Sequence, residues 1–309
     1  MGRYIFERLV SILVTLFIII TLTFFLMHAV PGGPFATEKK LPPEVEKALM
    51  KKYHLDDPVW KQYLDYLGGV IRLDFGPSFK YKGLSVNDLI IRGFPASGKI
   101  GLFSILSILI IGIPLGIISA LKQNKWEDTA VRFVATLGIT VPSFIIATVL
   151  LYFFALKLNW FPSFGIDNFK GYILPVIALS GYSISFVARL TRSSLLEIFR
   201  QDYMTMARAK GLSEWKILFK HGLKNAMIPI ITVLGPLIAG LLTGSFVIER
   251  IFAIPGMGKH FVNAISNRDY TTIMGITIFY ALFLLMMIFI VDLTYGFLDP
   301  RIKLGKKSR

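Results

Sequence analysis

The sequence predicts an all-α polytopic membrane protein with six transmembrane helices and a small extracytoplasmic insert after the first, and three observations predict it. Six apolar runs each come close to the roughly 20 residues that a helix needs to cross a bilayer. Hydrophobic residues make up 54% of the 309 and the mean hydropathy is +0.62, well above soluble-domain composition. Lys and Arg outnumber Asp and Glu by 34 to 19. That excess gathers in alternate segments between the runs, as the positive-inside rule describes, rather than in one patch shaped for nucleic acid.

The first run, 9–27, follows Arg3 and Arg8 and is not followed by a small-residue cleavage site. It therefore reads as a retained helix with a cytoplasmic N-terminus. Pro31-Gly-Gly-Pro34 ends it, and a polar stretch continues to about Pro95. Pro42-Pro43 can open one short helix there. Asp57-Pro58 can cap and open another, whose Val59, Tyr63, Tyr66, Leu67 and Val70 share a face. The remaining spans read as 100–121, 133–156, 173–190, 227–248 and 273–298. The expected organisation is a first helix (1–30), an extracytoplasmic segment (31–96), a membrane core (97–299) with a cytoplasmic loop at 200–225, and a cytoplasmic tail (300–309). Both termini then lie in the cytoplasm. Arg189, Arg192, Arg200, Arg208, Lys210, Lys216, Lys220 and Lys224 fall on the cytoplasmic side, whereas the later outer loops carry only Lys157, Lys170, Arg250, Lys259 and Arg268.

Within the spans, Gly112 and Gly116, and Gly240 and Gly244, sit one turn apart, a spacing that lets helix backbones approach closely; packing within the chain is the expectation for both. Pro142, Pro175 and Pro236 are expected to kink their helices. Ser180, Tyr182, Ser183 and Ser185 make the fourth span polar. Together with Thr140 and Ser143 they are candidates to line a solute path, against the alternative that they bond to nearby backbone. Lys99, Arg189, Arg192 and Asp292 fall near span ends, where long side chains can snorkel, so no proton or sodium relay is evident. Several chemistries are excluded. There is no cysteine, hence no thiolate, disulfide or Cys-based metal site, and the four histidines have no metal-binding spacing. Gly256-Met-Gly-Lys-His260 has the outline of a phosphate loop's end, but Ala253 stands at the first glycine position and His260 at the Ser/Thr. A membrane-embedded enzyme would need a paired-carboxylate, Ser/His or metal constellation that the spans lack.

The long basic stretch from Arg200 to Pro229 reads as two short helices hinged at Gly211. Asp202 is expected to cap the first and Ser213 the second, with Gly211 in the left-handed conformation that closes a helix. An amphipathic helix on an anionic membrane surface is the alternative.

The run ARAKGLSEWKILFKHGLKNAMIP resembles the cytoplasmic coupling loop of ABC-importer permeases in the form carried by peptide permeases. Ala207, Gly211 and Pro229 stand at the family's alanine, glycine and proline; Thr205, Met206 and Ala226 depart from the broad pattern. LDDPVWKQYLDYL, DFGPSF, ERIFAIPGMGKHFVNAISNRDYTTIMG and LDPRI are similar to segments of the oligopeptide/dipeptide B-type permeases, in the same order along the chain. The resemblance implies the type I ABC importer permease fold and a non-catalytic subunit forming half the pathway of an ATP-driven peptide importer in a prokaryotic cytoplasmic membrane. It further implies a homologous second permease subunit, two ATP-binding cassette subunits holding ATP and Mg, and an extracytoplasmic peptide-binding protein, with no cofactor in this chain and no nucleic acid. Tyr203, Ala207, Arg208, Lys210, Gly211 and Glu214 are the implied ATPase-coupling residues. Nickel or a sugar conjugate as solute, or an ATP-independent channel, are the alternatives; a channel leaves the basic hairpin unexplained.

Overall fold

The computed structural model describes residues 2–35, 42–242 and 244–298, without the side chains of residues 2, 3 and 294–298. The expected tail, most of the LDPRI motif, and Glu38, Lys39 and Lys40 of the insert lie outside the described residues. These are otherwise helices and connections, with one isolated bridge between Pro77 and Ser85. They group into two units, 1–97 with 255–309 and 98–254.

In the first unit α1 (Gly2–Ala29) turns most of its apolar surface outward and buries Ile20 and Phe24. The outward surface is apolar because the solvent it meets is lipid. In the insert, α2 (Pro43–Lys52) has proline at its start, Glu44 and Glu46 in its first turn and Lys51 and Lys52 in its last, complementing the helix dipole at both ends. α3 (Val59–Ile71) follows Pro58. Its expected stripe packs on α1. The Tyr63 ring stacks on Phe25 at 5.5 Å and meets Phe24 edge-on at 5.3 Å, its hydroxyl lies 2.7 Å from Thr21 Oγ1, and Val70 is buried beside Tyr66 and Leu67. Val59 is the exception and is exposed. Gln62 adds a polar lock: its amide donates to the Leu55 and Asp57 carbonyls and its oxygen faces His28 Nε2 at 3.1 Å.

α4 (Val86–Ser107) starts well before the expected span at residue 100. The reason is local. Ser85 and Asp88 form a reciprocal cap, with the Ser85 N–H and hydroxyl donating to Asp88 at 2.9 and 2.7 Å and the Asp88 N–H donating back to Ser85 Oγ at 3.1 Å. Such a box nucleates a helix ahead of the apolar run, and Pro95 is carried inside it rather than ending it.

The boundary of the second unit falls within α4. A π-helical turn, Ile108–Gly112, joins α4 to α5 (Ile113–Leu121). The expected third span is broken. α6 (Trp126–Thr140) and α7 (Ser143–Leu150), with a π-helical continuation Leu151–Lys157, meet at 104°. Pro142 cannot donate an N–H and forces Val141 out of the helical region, to φ −82, ψ 122, so the break follows from its chemistry. Pro175 and Pro236, by contrast, are absorbed within their helices. Among the described residues, five helical stretches are thus long and apolar enough to span, and the bent pair makes six if it counts as one.

α8 (Phe169–Phe199) is capped by Asn168, which accepts from the Gly171 N–H at 3.1 Å. It is the unit's central helix, packed against α5, α6 and α7. At Gly116 the α5 and α8 backbones come so close that a Cβ would lie 2.5 Å from the Ala188 carbonyl. The Gly112–Gly116 pair therefore packs within the chain, whereas a Cβ at Gly240 would meet nothing within 4 Å. α9 (Asp202–Ala209), α10 (Glu214–Lys216), a π-helical segment Ile217–Leu223 and α11 (Lys224–Leu242), which also packs on α8, build the loop and the next span. α12 (Phe246–Ile251) closes the unit.

The chain returns to the first unit with α13 (Met257–Asn267) and α14 (Tyr270–Leu298). The glycine-rich start of α13 is packed and bonded, its Met257 N–H donating to Ser97 Oγ at 3.0 Å. Asp269, buried between α13 and α14, accepts from Ser78 Oγ, the Phe79 N–H and Thr272 Oγ1 at 2.5, 3.1 and 2.8 Å, tying the insert to the base of the last helix.

Candidate functional site

The basic loop folds as a hairpin around its glycine. The helix α9 ends when the Lys210 N–H donates to Met206 O at 3.0 Å and the Gly211 N–H to Arg208 O at 2.9 Å. Gly211 then takes φ +71, the left-handed region that closes helices and that a Cβ disfavours. A Cβ at Gly211 would find open space, so the requirement for glycine is one of backbone conformation and not of room. Both expected caps are modified. Gln201 holds the N-cap and Asp202 is the first helical residue, where its charge still favours the helix start. Ser213 has the extended N-cap backbone, but its side chain makes no cap bond.

The hairpin has a core of its own. Met204, Ala207 and Ile217 are buried together against Ile198, Phe199 and Leu212, and Leu218 and Ala226 are buried against Leu195 and Ala120. One face of the loop is therefore fixed to the C-terminal ends of α5 and α8 by hydrophobic packing. Ala207, expected among the ATPase-coupling residues, lies on this inner face. At 7% exposure it faces Met204 and Ile217, because the apolar face of so short a helix is needed to hold it down. The remaining expected coupling residues lie on the open side. Tyr203, Arg208, Lys210 and Glu214 are exposed, with Arg208 Nε 3.3 Å from Glu214 Oε1 and Tyr203 OH accepting from Asn225 Nδ2 at 2.9 Å. Sequence reasoning missed the aromatic part of this surface: Trp215, 69% exposed, stacks on Phe219 at 5.6 Å with the planes 10° apart. The i, i+4 spacing of two large rings on a helix full of lysines was the available signal.

The proposed solute path divides. Ser180 and Ser183 are buried, Ser180 donating to the Val176 carbonyl of its own helix at 2.7 Å. Ser185 is buried where α8 packs against α6 at Gly138. Ser180 thus follows the alternative of bonding to nearby backbone, and Ser183 and Ser185 are buried in the packing around α8. Tyr182, stacked on Phe186, Thr140 and the half-buried Ser143 retain access to the surface.

A second constellation lies under α6. Asp128 is fully buried and accepts from Arg192 Nε and Nη2 at 2.7 and 2.9 Å, from Ser119 Oγ at 2.6 Å and from the Asn124 N–H at 2.9 Å. A buried carboxylate needs this satisfaction. Arg192 was legible only as a snorkelling cation; its partner lies 64 residues away in sequence.

The family described as "Binding-protein-dependent transport system inner membrane component" matches residues 112–304, and its N-terminal companion matches residues 1–97. The dipeptide transport system permease protein DppB of Bacillus subtilis is 50% identical over 308 residues, 100% of each chain. The oligopeptide transport system permease protein OppB of Salmonella typhimurium is 44% identical over 306 residues, 98% of this chain and 100% of its own. Among solved structures, the MetNI methionine ABC transporter in an inward-facing conformation shares 17% identity at a TM-score of 0.53, covering 71% of this chain and 97% of that one. An amino acid ABC transporter shares 16% at 0.54, covering 67% and 93%; at these identities the likeness speaks for the fold alone. With its helices, its hinged loop and its full-length relatives in agreement, the chain belongs to the oligopeptide/dipeptide branch of the binding-protein-dependent permeases, the membrane subunits of ABC importers.

Proposed function

We propose that this chain is a permease subunit of an ATP-driven peptide importer, forming half of the translocation pathway and receiving the power stroke at the Gly211 hairpin. The observation that carries the reading is the hairpin's two-sidedness in a chain half identical to a dipeptide permease over its whole length. Its inner face is packed on Leu195, Ile198 and Phe199 of α8, while Tyr203, Arg208, Lys210, Glu214, Trp215 and Phe219 are left open. Its aromatic rings and arginine are residue types enriched at protein interfaces. The partners are a homologous second permease, two cytoplasmic ATPase subunits that hold ATP and Mg, and an extracytoplasmic peptide-binding protein. Closure of the ATPases would move the hairpins, and α8 and α11 would follow as levers that switch which side of the pathway is open. The alternation of basic segments supports a cytoplasmic-membrane protein with both termini inside.

The test is uptake by proteoliposomes holding this chain with its co-expressed partner subunits. ATP and binding protein together should drive accumulation of a labelled dipeptide or oligopeptide. Accumulation of nickel or a sugar conjugate instead would keep the machine and replace the solute. ATP-independent flux of peptide would overturn the reading.

A further inference from the structure

Between α6 and α8 lies a cavity of about 320 Å³ whose polar wall is formed by Ser119, Arg132, Thr136, Arg189 and Arg192. Its charge is not balanced. Asp128 is spent on Arg192 in a two-pronged pair. Arg132 reaches the same carboxylate only at 3.5 Å, Arg189 donates to the neutral Thr136 Oγ1 at 3.1 Å, and the neighbouring Glu127 faces Lys122 instead, at 3.8 Å. Two guanidinium groups thus share one carboxylate, while the third, Arg189, bonds only to a neutral hydroxyl, so the wall carries more positive than negative charge and favours an anion.

An apolar hollow adjoins this cavity. Val131, Ala135 and Ala188 line both cavities, the second, of about 170 Å³, being completed by Leu115, Ala130, Val134, Ile184 and the hydroxyl-bearing Ser185. A cationic cup beside a mostly apolar trough matches a ligand with an anionic head and a hydrocarbon tail. Trp126, 76% exposed at the start of α6, is the residue type that marks the headgroup level of a bilayer.

We propose that this is a binding site for an anionic phospholipid, with the phosphate held by Arg132 and Arg189 and one acyl chain lying in the groove between α6 and α8. Arginine suits the role, since its fork binds phosphate oxygens in pairs, and basic pockets between spans on the cytoplasmic side are suited to such headgroups. Placement in the inner leaflet rests on the topology proposed above; the chemistry of the ligand does not. A lipid held there would brace α6 against α8, the central helix that also carries the hairpin.

The test reads bound lipid and not transport, so its failure is separable from failure of the importer reading. The full-length chain, purified in detergent, is titrated with phosphatidylglycerol and with phosphatidylcholine of the same chains and analysed by native mass spectrometry. Phosphatidylglycerol should be retained at about a tenfold advantage. The double variant R132Q/R189Q, which leaves the Asp128–Arg192 pair intact, should unfold at an unchanged temperature and lose that advantage. Ala130→Phe, placed at an exposed position on the groove, should weaken phosphatidylglycerol while leaving calorimetric binding of inorganic phosphate unaltered. Equal retention of the two lipids, or an advantage surviving in R132Q/R189Q, would overturn the site. Phosphate binding as tight as that of phosphatidylglycerol, with both indifferent to Ala130→Phe, would make it a free-anion site and overturn the lipid assignment.

Discussion

Gly211 and Asp128 show two ways in which one residue can matter. A Cβ at Gly211 would touch nothing, and the residue's value lies in φ +71. A Cβ there costs about 1–2 kcal/mol, more when β-branched and less for asparagine, which tolerates the left-handed region. Gly211→Val is expected to leave the chain inserted and abundant but to abolish retention of the ATPase subunits on co-purification, with Gly211→Asn keeping most of it. Equal retention by both would remove the hinge from the coupling mechanism. Ala207→Asp should also uncouple, and the structure changes the reason: the carboxylate would be buried against Met204 and Ile217 and would loosen the hairpin itself. Asp128 matters through its partners. Arg192→Gln strips a fully buried carboxylate of its main counter-charge and should destabilise the chain by about 3–5 kcal/mol, read as a lowered midpoint of thermal unfolding in detergent. Arg132→Gln, removing a guanidinium 3.5 Å away and half exposed, should change that midpoint little.

At the scale of elements, what was legible depended on whether the determining signal was local. The α3 stripe, the α9 helix and its glycine stop are written in consecutive residues, and all were readable. The early start of α4 was also local, in Ser85 and Asp88, but was passed over because hydropathy marks where a helix is apolar and not where it begins. The break at Pro142 was expected only as a kink, since the angle depends on what α8 offers the two arms to pack against. The buried fate of Ser180, Ser183 and Ser185 was not legible at all. A serine in a span looks the same whether it faces a path or the small residues of a neighbouring helix, such as Gly138. In the insert, Lys61 is exposed and bridges Asp57 at 2.9 Å, an exposed pair worth little to folding. Reversing the charges of Lys61 and Asp65 should therefore leave the insert folded while lowering the binding protein's stimulation of ATPase activity. Undiminished stimulation and affinity would make this face a solubilising surface only.

For the whole molecule the proposed topology is directly measurable. A cysteine at Ser213 should react with an impermeant maleimide only when the cytoplasmic side is open, and one at Ser85 from outside in sealed cells; the background is clean because the chain has no cysteine. Reaction of Ser85 only after lysis would reverse the six-span scheme.

The uninterrupted helical path from Glu214 through Ile217–Leu223 to Leu242 means that the hairpin's second arm and the following span are one geared shaft. Each residue turns a helix by about 100°, and the π-helical segment is how such a shaft carries an extra residue without losing phase. Deleting one residue from that segment, or adding one alanine after Leu223, should rotate Trp215 and Phe219 off their heading, and with them the Ile217 and Leu218 side chains that hold the arm to α8. Adding four alanines nearly restores the phase. ATPase retention that fails with one and recovers with four would show that the coupling is angular, carried by the helix's rotational register rather than by its length.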